Sequence, residues 1–289
     1  MKSRCDGRVD CKDKSDEKDC GRAVIDSTYN KAMTPPPLED SDKVSVELSV
    51  VLQAILNLDE IGGIMYIKYV LLAKWTDPGL TFHNLKRDGN RNLLTESEWS
   101  RIWVPRVIFD NTEAAEESIM DKGAIIRVLA NEKFTHTTTN FNHHQNIYVF
   151  DGTETKVEMS RVYNTEYLCE YSMAWYPFDS QICHLDFVLD VSAADFVQLV
   201  NGSLKYLGPF ELAQYFVRST VMKQFERENV NGVRVMVVFG RSLLSNILTV
   251  YVPTVLLNTM GHITVYFKPF FFEAIITVNL TVMLVLTTM

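Results

Sequence analysis

A secretion signal is the first thing missing from this sequence: Met1-Lys2-Ser3-Arg4 leads straight into Cys5, with no apolar stretch ahead of it. A basic excess is missing too. The 28 lysines and arginines are outnumbered by 36 aspartates and glutamates, giving a net charge of -8 and excluding the electrostatic footprint of a nucleic-acid binder. Histidine is scarce, at 6 residues. His136, His143 and His144 sit in "THTTTNFNHHQN" without neighbouring carboxylates for a proton relay, so the segment reads as a polar strand or loop. Nothing in the chain resembles an enzyme. Cysteine is limited to five residues, and their placement is uneven: Cys5, Cys11 and Cys20, then Cys169 and Cys183. Such clustering suggests disulfides and an oxidising compartment, and the Asp-rich, His-poor surroundings of the first group argue against zinc. The sequon Asn201-Gly202-Ser203 agrees with secretion. With no leader in view, the expectation is a chain truncated at its start.

What is present changes in texture three times. Residues 1–21 are charged and nearly free of large apolar groups, so they cannot build a core without disulfides and an ion. Residues 22–43 contain Pro35-Pro36-Pro37 and read as an extended linker. From Val44 the stretch "VSVELSVVL" alternates Val44, Val46, Leu48 and Val50 with Ser45, Glu47 and Ser49, the period of a half-buried strand. "MYIKYVLLAKW", "IYVFDGTETKVEMSRVY" with its Asp151-Gly152 turn, and "GVRVMVVFGR" repeat that texture. No helix of ordinary length is evident among them. Many short strands punctuated by turns predict a mainly β, immunoglobulin-like sandwich over residues 44–241.

The last segment, 242–289, predicts membrane-spanning helices. Leu243 to Phe267 carries no charged side chain and is bracketed by Arg241 and Lys268. A spanning helix needs about 20 apolar residues, and Pro253 is tolerable there because neighbouring helices satisfy the freed carbonyl. A second charge-free run, Ala274 to Met289, is shorter than a full span, and the expectation is that the chain stops inside a second helix of a truncated bundle.

The stretch "CEYSMAWYPFDSQIC", with thirteen residues between Cys169 and Cys183, gives the pattern a name. Together with "WTDPGL" at 75–80 and "IWVPRVIF" at 102–109, it resembles the pentameric ligand-gated ion channels, the Cys-loop receptors, over about residues 44–289. Gly79 and Arg106 depart from the Arg and Asp usual in the two shorter signatures. The resemblance implies a Cys169–Cys183 disulfide and a loop whose apolar tip presses on the membrane helices. Tyr176 and Phe178 would supply the apolar surface, Pro177 the turn, and Asp179 the family's Tyr-Pro-Phe-Asp ending. It also implies an ion pair between Glu60, in "NLDEIGG", and Arg241, joining the binding domain to the pore.

Two further implications concern ligand and ion. The aromatic cage that holds amine agonists in this family falls on Asp110, Asp190 and Val70, so the usual cation–π box is missing from those positions. Either Asp110 and Asp190 are ordinary turn residues or they line a carboxylate-based amine site. The pore-facing positions fall on Thr277, Thr281, Leu284 and Thr288, spaced along one helix face, with Leu284 as an apolar constriction. The alternative is that these threonines bond their own helix carbonyls on a lipid face. Glu273 stands near the inner mouth, one residue outside the Glu position of the family's cation channels and where its anion channels have Pro; five copies would form a negative ring and favour cations, and the alternative is a Glu turned from the axis at a helix start.

The first module, "CDGRVDCKDKSDEKDC", resembles the second half of an LDL-receptor class A repeat. That resemblance implies calcium held by Asp6, Asp10, Asp16 and Glu17, with backbone carbonyls near Ser3 and Arg8, in the intact repeat but not in this fragment. Cys5 could pair with Cys20, which leaves Cys11 without a partner, and Ser3 replaces a usual tryptophan. The function expected is a subunit of a plasma-membrane, multi-pass channel that assembles with homologous subunits into a pentamer and opens on binding a small-molecule agonist. A fragment lacking the last two helices would not itself conduct. The alternatives are a non-channel surface receptor using the calcium-type repeat to bind protein or lipoprotein, and a ligand-binding decoy.

Overall fold

The computed structural model describes Val9, Lys12 and residues 21–38, 42–112, 116–117, 123–130, 137–139, 147–190, 195–227, 230–266 and 272–288. Two five-stranded sheets dominate. One has the order β12 (Val197–Tyr206), β2 (Val44–Asp59), β3 (Ile64–Trp75), β10 (Thr155–Leu168) and β7 (Ile125–Ala130). The other runs β13 (Tyr215–Arg227), β14 (Val230–Arg241), β11 (Ser180–Leu189), β5 (Val107–Phe109) and β6 (Glu116–Glu117). A third sheet of four strands, β1 (Ala23–Ile25), β4 (Leu80–His83), β9 (Ile147–Asp151) and β8 (Thr137–Thr139), lies outside the sequence expectation. By its internal contacts the chain divides into two compact units. The first comprises Met1–Cys169, Cys183–Gly208 and Thr220–Met236, and the second Glu170–Ile182, Pro209–Ser219 and Val237–Met289.

The core of the first unit follows from period-two patterning. Along β3, Met65, Ile67, Tyr69, Leu71, Ala73 and Trp75 are buried while their neighbours are only half-buried. Val44, Val46, Leu48 and Val50 of β2 face the same way, as their alternation predicts. Ser49 is the exception on that strand: it is buried, and its hydroxyl accepts the Ser203 N–H at 2.9 Å. Between the two large sheets, Tyr69 and Tyr163 on one side meet Phe109 and Phe187 on the other, mostly edge to face with centroids 5.1–6.2 Å apart. The buried Tyr69 and Tyr167 hydroxyls satisfy one another at 2.7 Å.

Segment 22–43 is more engaged than a linker. Residues Ala23–Ile25 pair antiparallel with Leu80–Phe82, and the Arg22 and Ala23 amides donate to the buried Glu98 carboxylate. Glu98 also caps the short helix α1 (Glu96–Trp99) through the Thr95 N–H at 2.7 Å. Tyr29 donates to Asp77 at 2.7 Å and accepts from the Trp103 N–H at 2.9 Å. Burial, reinforced by that carboxylate, pushes the Tyr29 hydroxyl well above its ordinary value. These bonds tie both short signatures, 75–80 and 102–109, to residues 23–29. Gly152 lies so close to the carbonyls of Asp77 and Leu80 that a Cβ there would overlap them.

The helical part of the second unit is segmented. Helix α2 (Leu243–Asn246) passes into a π turn, Ile247–Tyr251, then α3 (Val252–Ile263) and a 3-10 turn, Thr264–Tyr266. Pro253, in the first turn of α3, has no N–H to continue the earlier ladder, and the irregular turn falls just ahead of it. Helix α4 (Phe272–Thr288) meets the 3-10 turn after α3 through a contact between the Thr264 hydroxyl and Asn279 Oδ1 at 3.3 Å. Among the described residues, no helix is long and apolar enough to cross a membrane.

Candidate functional site

The disulfide loop begins where β10 ends and closes within β11. Cys169 and Cys183 are bonded, with Cα atoms 5.0 Å apart. The Cys169 N–H donates to the Gly63 carbonyl at 2.7 Å, so the turn between β2 and β3 is held against the loop's first residue. That turn carries Glu60, half-buried, and is shaped by Asp59, whose carboxylate accepts the Ile61 and Gly62 amides at 3.0 Å each.

Inside the second unit the loop is organised around Arg241, the last residue of β14. Its Nε donates to Asp179 Oδ1 at 2.7 Å and its Nη2 to Asp179 Oδ2 at 2.9 Å, a two-point grip. Arg241 also donates to the Tyr215 hydroxyl and lies over the rings of Tyr215 and Tyr176, at 4.6 and 4.9 Å. Gln181 braces the carboxylate from the other side at 2.5 Å while exchanging hydrogen bonds with the Ser172 backbone, 2.8 Å in and 2.9 Å out. Arg241 and Asp179 are 5% and 4% exposed. Burial alone would raise the Asp179 pKa, but the bonds from Arg241 and Gln181 outweigh it and hold the carboxyl below the ordinary aspartate range.

The loop's aromatic tip faces outward. Trp175 and Phe178 are 80% and 74% exposed, whereas Tyr176 is partly covered beneath Arg241 and Pro177 is buried. The peptide between Tyr176 and Pro177 is cis. Sequence reading singled out Tyr176 and Phe178 and missed Trp175, which was visible as the largest aromatic of the same run.

At two of the three positions where the resemblance implied an aromatic cage, charge pairs stand instead. Asp110 meets Arg227 at 3.6 Å and Asp190 meets Arg106 at 3.5 Å, all partly exposed, and Val70 is half-buried. The departure at Arg106 and the carboxylate at Asp190 are therefore partners. In α4, the Thr277 hydroxyl donates to the Glu273 carbonyl at 2.8 Å and the Thr281 hydroxyl to the Thr277 carbonyl at 2.7 Å. That is the self-bonding pattern the sequence left open, although both side chains and Leu284 are exposed and each hydroxyl oxygen keeps lone pairs for other donors. Glu273 is exposed in the first turn of α4, where its charge suits the helix dipole. Thr288 ends that helix. Asp6, Asp10, Asp16, Glu17, Cys5, Cys20, His136, His143 and His144 lie outside the described residues. Among the described residues, no group of His, Cys, Asp or Glu could hold a metal ion.

Two sheets packed over an aromatic core form a β-sandwich, and the second unit carries a disulfide loop pinned by a buried arginine–carboxylate pair. The chain belongs to the neurotransmitter-gated ion-channel ligand binding domain family, whose pattern matches residues 20–225. It is a family of ligand-gated channels, not of enzymes. Among curated relatives, the serotonin-gated chloride channel mod-1 of Caenorhabditis elegans is 24% identical over 271 residues, 91% of this chain and 50% of that protein. The glutamate-gated chloride channel of Drosophila melanogaster is 20% identical over 272 residues, 90% of this chain and 54% of that one. The acetylcholine receptor subunit beta-type acr-2 of Caenorhabditis elegans is 25% identical over 172 residues, covering 59% and 25% respectively. The chain thus spans about half the length of the two chloride channels and a quarter of the receptor subunit.

Proposed function

We propose that this sequence is the agonist-binding and coupling part of a subunit of a pentameric, ligand-gated ion channel in the plasma membrane, its sandwich extracellular and its helices membrane-spanning. The observation that carries the reading is the composition of the second unit. It gathers the disulfide loop, residues 209–219 and the helices into one body, with Arg241 joining the loop to the strand that runs into α2. Apolar side chains on the helices, including Leu244, Leu248, Val255, Met260, Leu280 and Met283, are exposed, as they would be before lipid and neighbouring helices cover them. The test is voltage clamp of cells expressing the full-length protein, with acetylcholine, serotonin and glutamate applied in turn. A current evoked by one of them supports the reading. Surface-delivered protein that stays silent to all three, and remains monomeric by native mass, counts against it.

Glu60 is proposed to act with Arg241 in gating. Because Asp179 already grips Arg241, reversing the charge of Arg241 would set two carboxylates together, so the informative variants are Glu60→Gln and Arg241→Lys. Each is expected to shift the agonist response, with a coupling on the order of 1 kcal/mol between them in a double-mutant cycle. A coupling of zero removes Glu60 from the site.

For the pore, Glu273 is proposed to form a negative ring selecting cations. Thr277, Thr281, Leu284 and Thr288 then line the path. Reversal potentials under sodium and chloride substitution should follow sodium. A reversal that follows chloride, unchanged in Glu273→Ala, leaves Glu273 as a helix-start residue only. The N-terminal carboxylates Asp6, Asp10, Asp16 and Glu17 are proposed as calcium ligands of an intact repeat in the longer protein.

A further inference from the structure

The apex of the disulfide loop is a tight turn, closed by the Phe178 N–H donating to the Trp175 carbonyl at 2.7 Å. Trp175 and Phe178, the exposed aromatics described above, stand at its two ends. Residues 171–178 carry no charged side chain, and the carboxylate that follows, Asp179, is buried and neutralised by Arg241. The apex therefore presents large apolar rings with no ionic group to desolvate.

The same pair holds the apex close to the place where the chain turns helical. The Arg241 N–H reaches the Asp179 carbonyl at 3.4 Å, and the Ser242 N–H donates to the Gln214 carbonyl at 2.8 Å. Phe178 directly precedes Asp179, and Leu243, where the charge-free run begins, lies two residues past Arg241. At roughly 3.3–3.6 Å per residue these are short steps. Leu243, Leu244 and Leu248 are exposed there, and so is Phe210 in the segment 209–219 of the same unit. Resting on the membrane reading above, we propose that Trp175 is a lipid anchor whose indole lies in the headgroup zone of the bilayer, a layer about 5–7 Å deep on each side of the hydrocarbon. Packing against apolar helices, the rival arrangement, would take the indole N–H from water with no acceptor assured. The headgroup zone meets both halves of the side chain, with acyl chain for the ring and water, ester and phosphate oxygens for the N–H. The apex carries no charge, so a zwitterionic phospholipid suffices.

The test reads Trp175 fluorescence and needs no channel current. The chain has four tryptophans, and the other three, Trp75, Trp99 and Trp103, belong to the first unit. Full-length protein is reconstituted into phosphatidylcholine vesicles whose acyl chains carry bromine, a contact quencher, either just below the headgroup or near the chain ends. Bromine below the headgroup should remove most of the emission that Trp175→Phe abolishes, and bromine at the chain ends much less. The emission left in Trp175→Phe should respond to neither. Trp175→Ser repeats the subtraction at this exposed position, so a folding failure in one variant does not shelter the idea. Protein that floats with the vesicles yet is quenched equally in wild type and both variants, or not at all, overturns the anchor and gives the indole to the helices. Stronger quenching from the chain ends does the same. Protein that does not float removes the membrane reading, and this inference with it.

Discussion

Arg241→Met is expected to destabilise the second unit by about 3–5 kcal/mol, because it strands the Asp179 carboxylate in a site closed to water. The two-point bond, the Tyr215 hydroxyl and the two tyrosine rings all converge on one guanidinium, and none of them can be met by a thioether. Removing both charges should be far milder. Asp179→Leu combined with Arg241→Met leaves no buried ion, and apolar replacements of buried pairs are often neutral. The pair also sets an acid limit. The Asp179 pKa in the folded protein lies below its ordinary value of 3.8, so its contribution is complete above that value and is lost as pH falls through the lower folded one. Thermal melts of the wild type, the single and the double variant across pH 3–7 would show it. A single variant that melts with the wild type, or a double variant worse than the single, would contradict the burial argument.

The second large effect is expected from Cys183→Ser. The bond joins residues separated by 14 positions, and losing a native disulfide typically costs about 2–5 kcal/mol. Here the loss also frees the one covalent constraint on a loop that exposes Trp175 and Phe178, so the variant should be retained inside the cell and aggregate. Peptide mapping without reduction should recover Cys169 and Cys183 as one cross-linked pair. Free thiols at both positions in surface-delivered protein would show that the loop is not closed in the native molecule.

Much of this architecture was legible from local pattern. The alternation in "VSVELSVVL" placed Val44, Val46, Leu48 and Val50 on the core face of β2, since a strand with one buried face has little choice of register, and "MYIKYVLLAKW" was legible as a strand. The loop was legible for another reason: its two cysteines and the aromatic run between them form a single short word. What escaped was non-local. Arg241 was visible as the last cation before an apolar run, but its grip on Asp179 spans 62 positions and no short-range pattern encodes it. The packing of Ala23–Ile25 onto β4 was hidden by three prolines that argued for an extended linker, although extended chain is also what a strand edge requires. Ser49 looked solvent-facing because its hydroxyl is polar. Its partner, the Ser203 amide, arrives from a strand 154 residues away.

The hydrogen bond from the Cys169 amide to the Gly63 carbonyl has a mechanical meaning. Gly63 sits at a φ of 68°, a backbone state that a side chain resists, so glycine lets the turn close there and present its carbonyl to the Cys169 amide. The disulfide then bolts Cys183 to the same point. The β2–β3 turn, the end of β10 and β11 therefore meet at one covalently closed point.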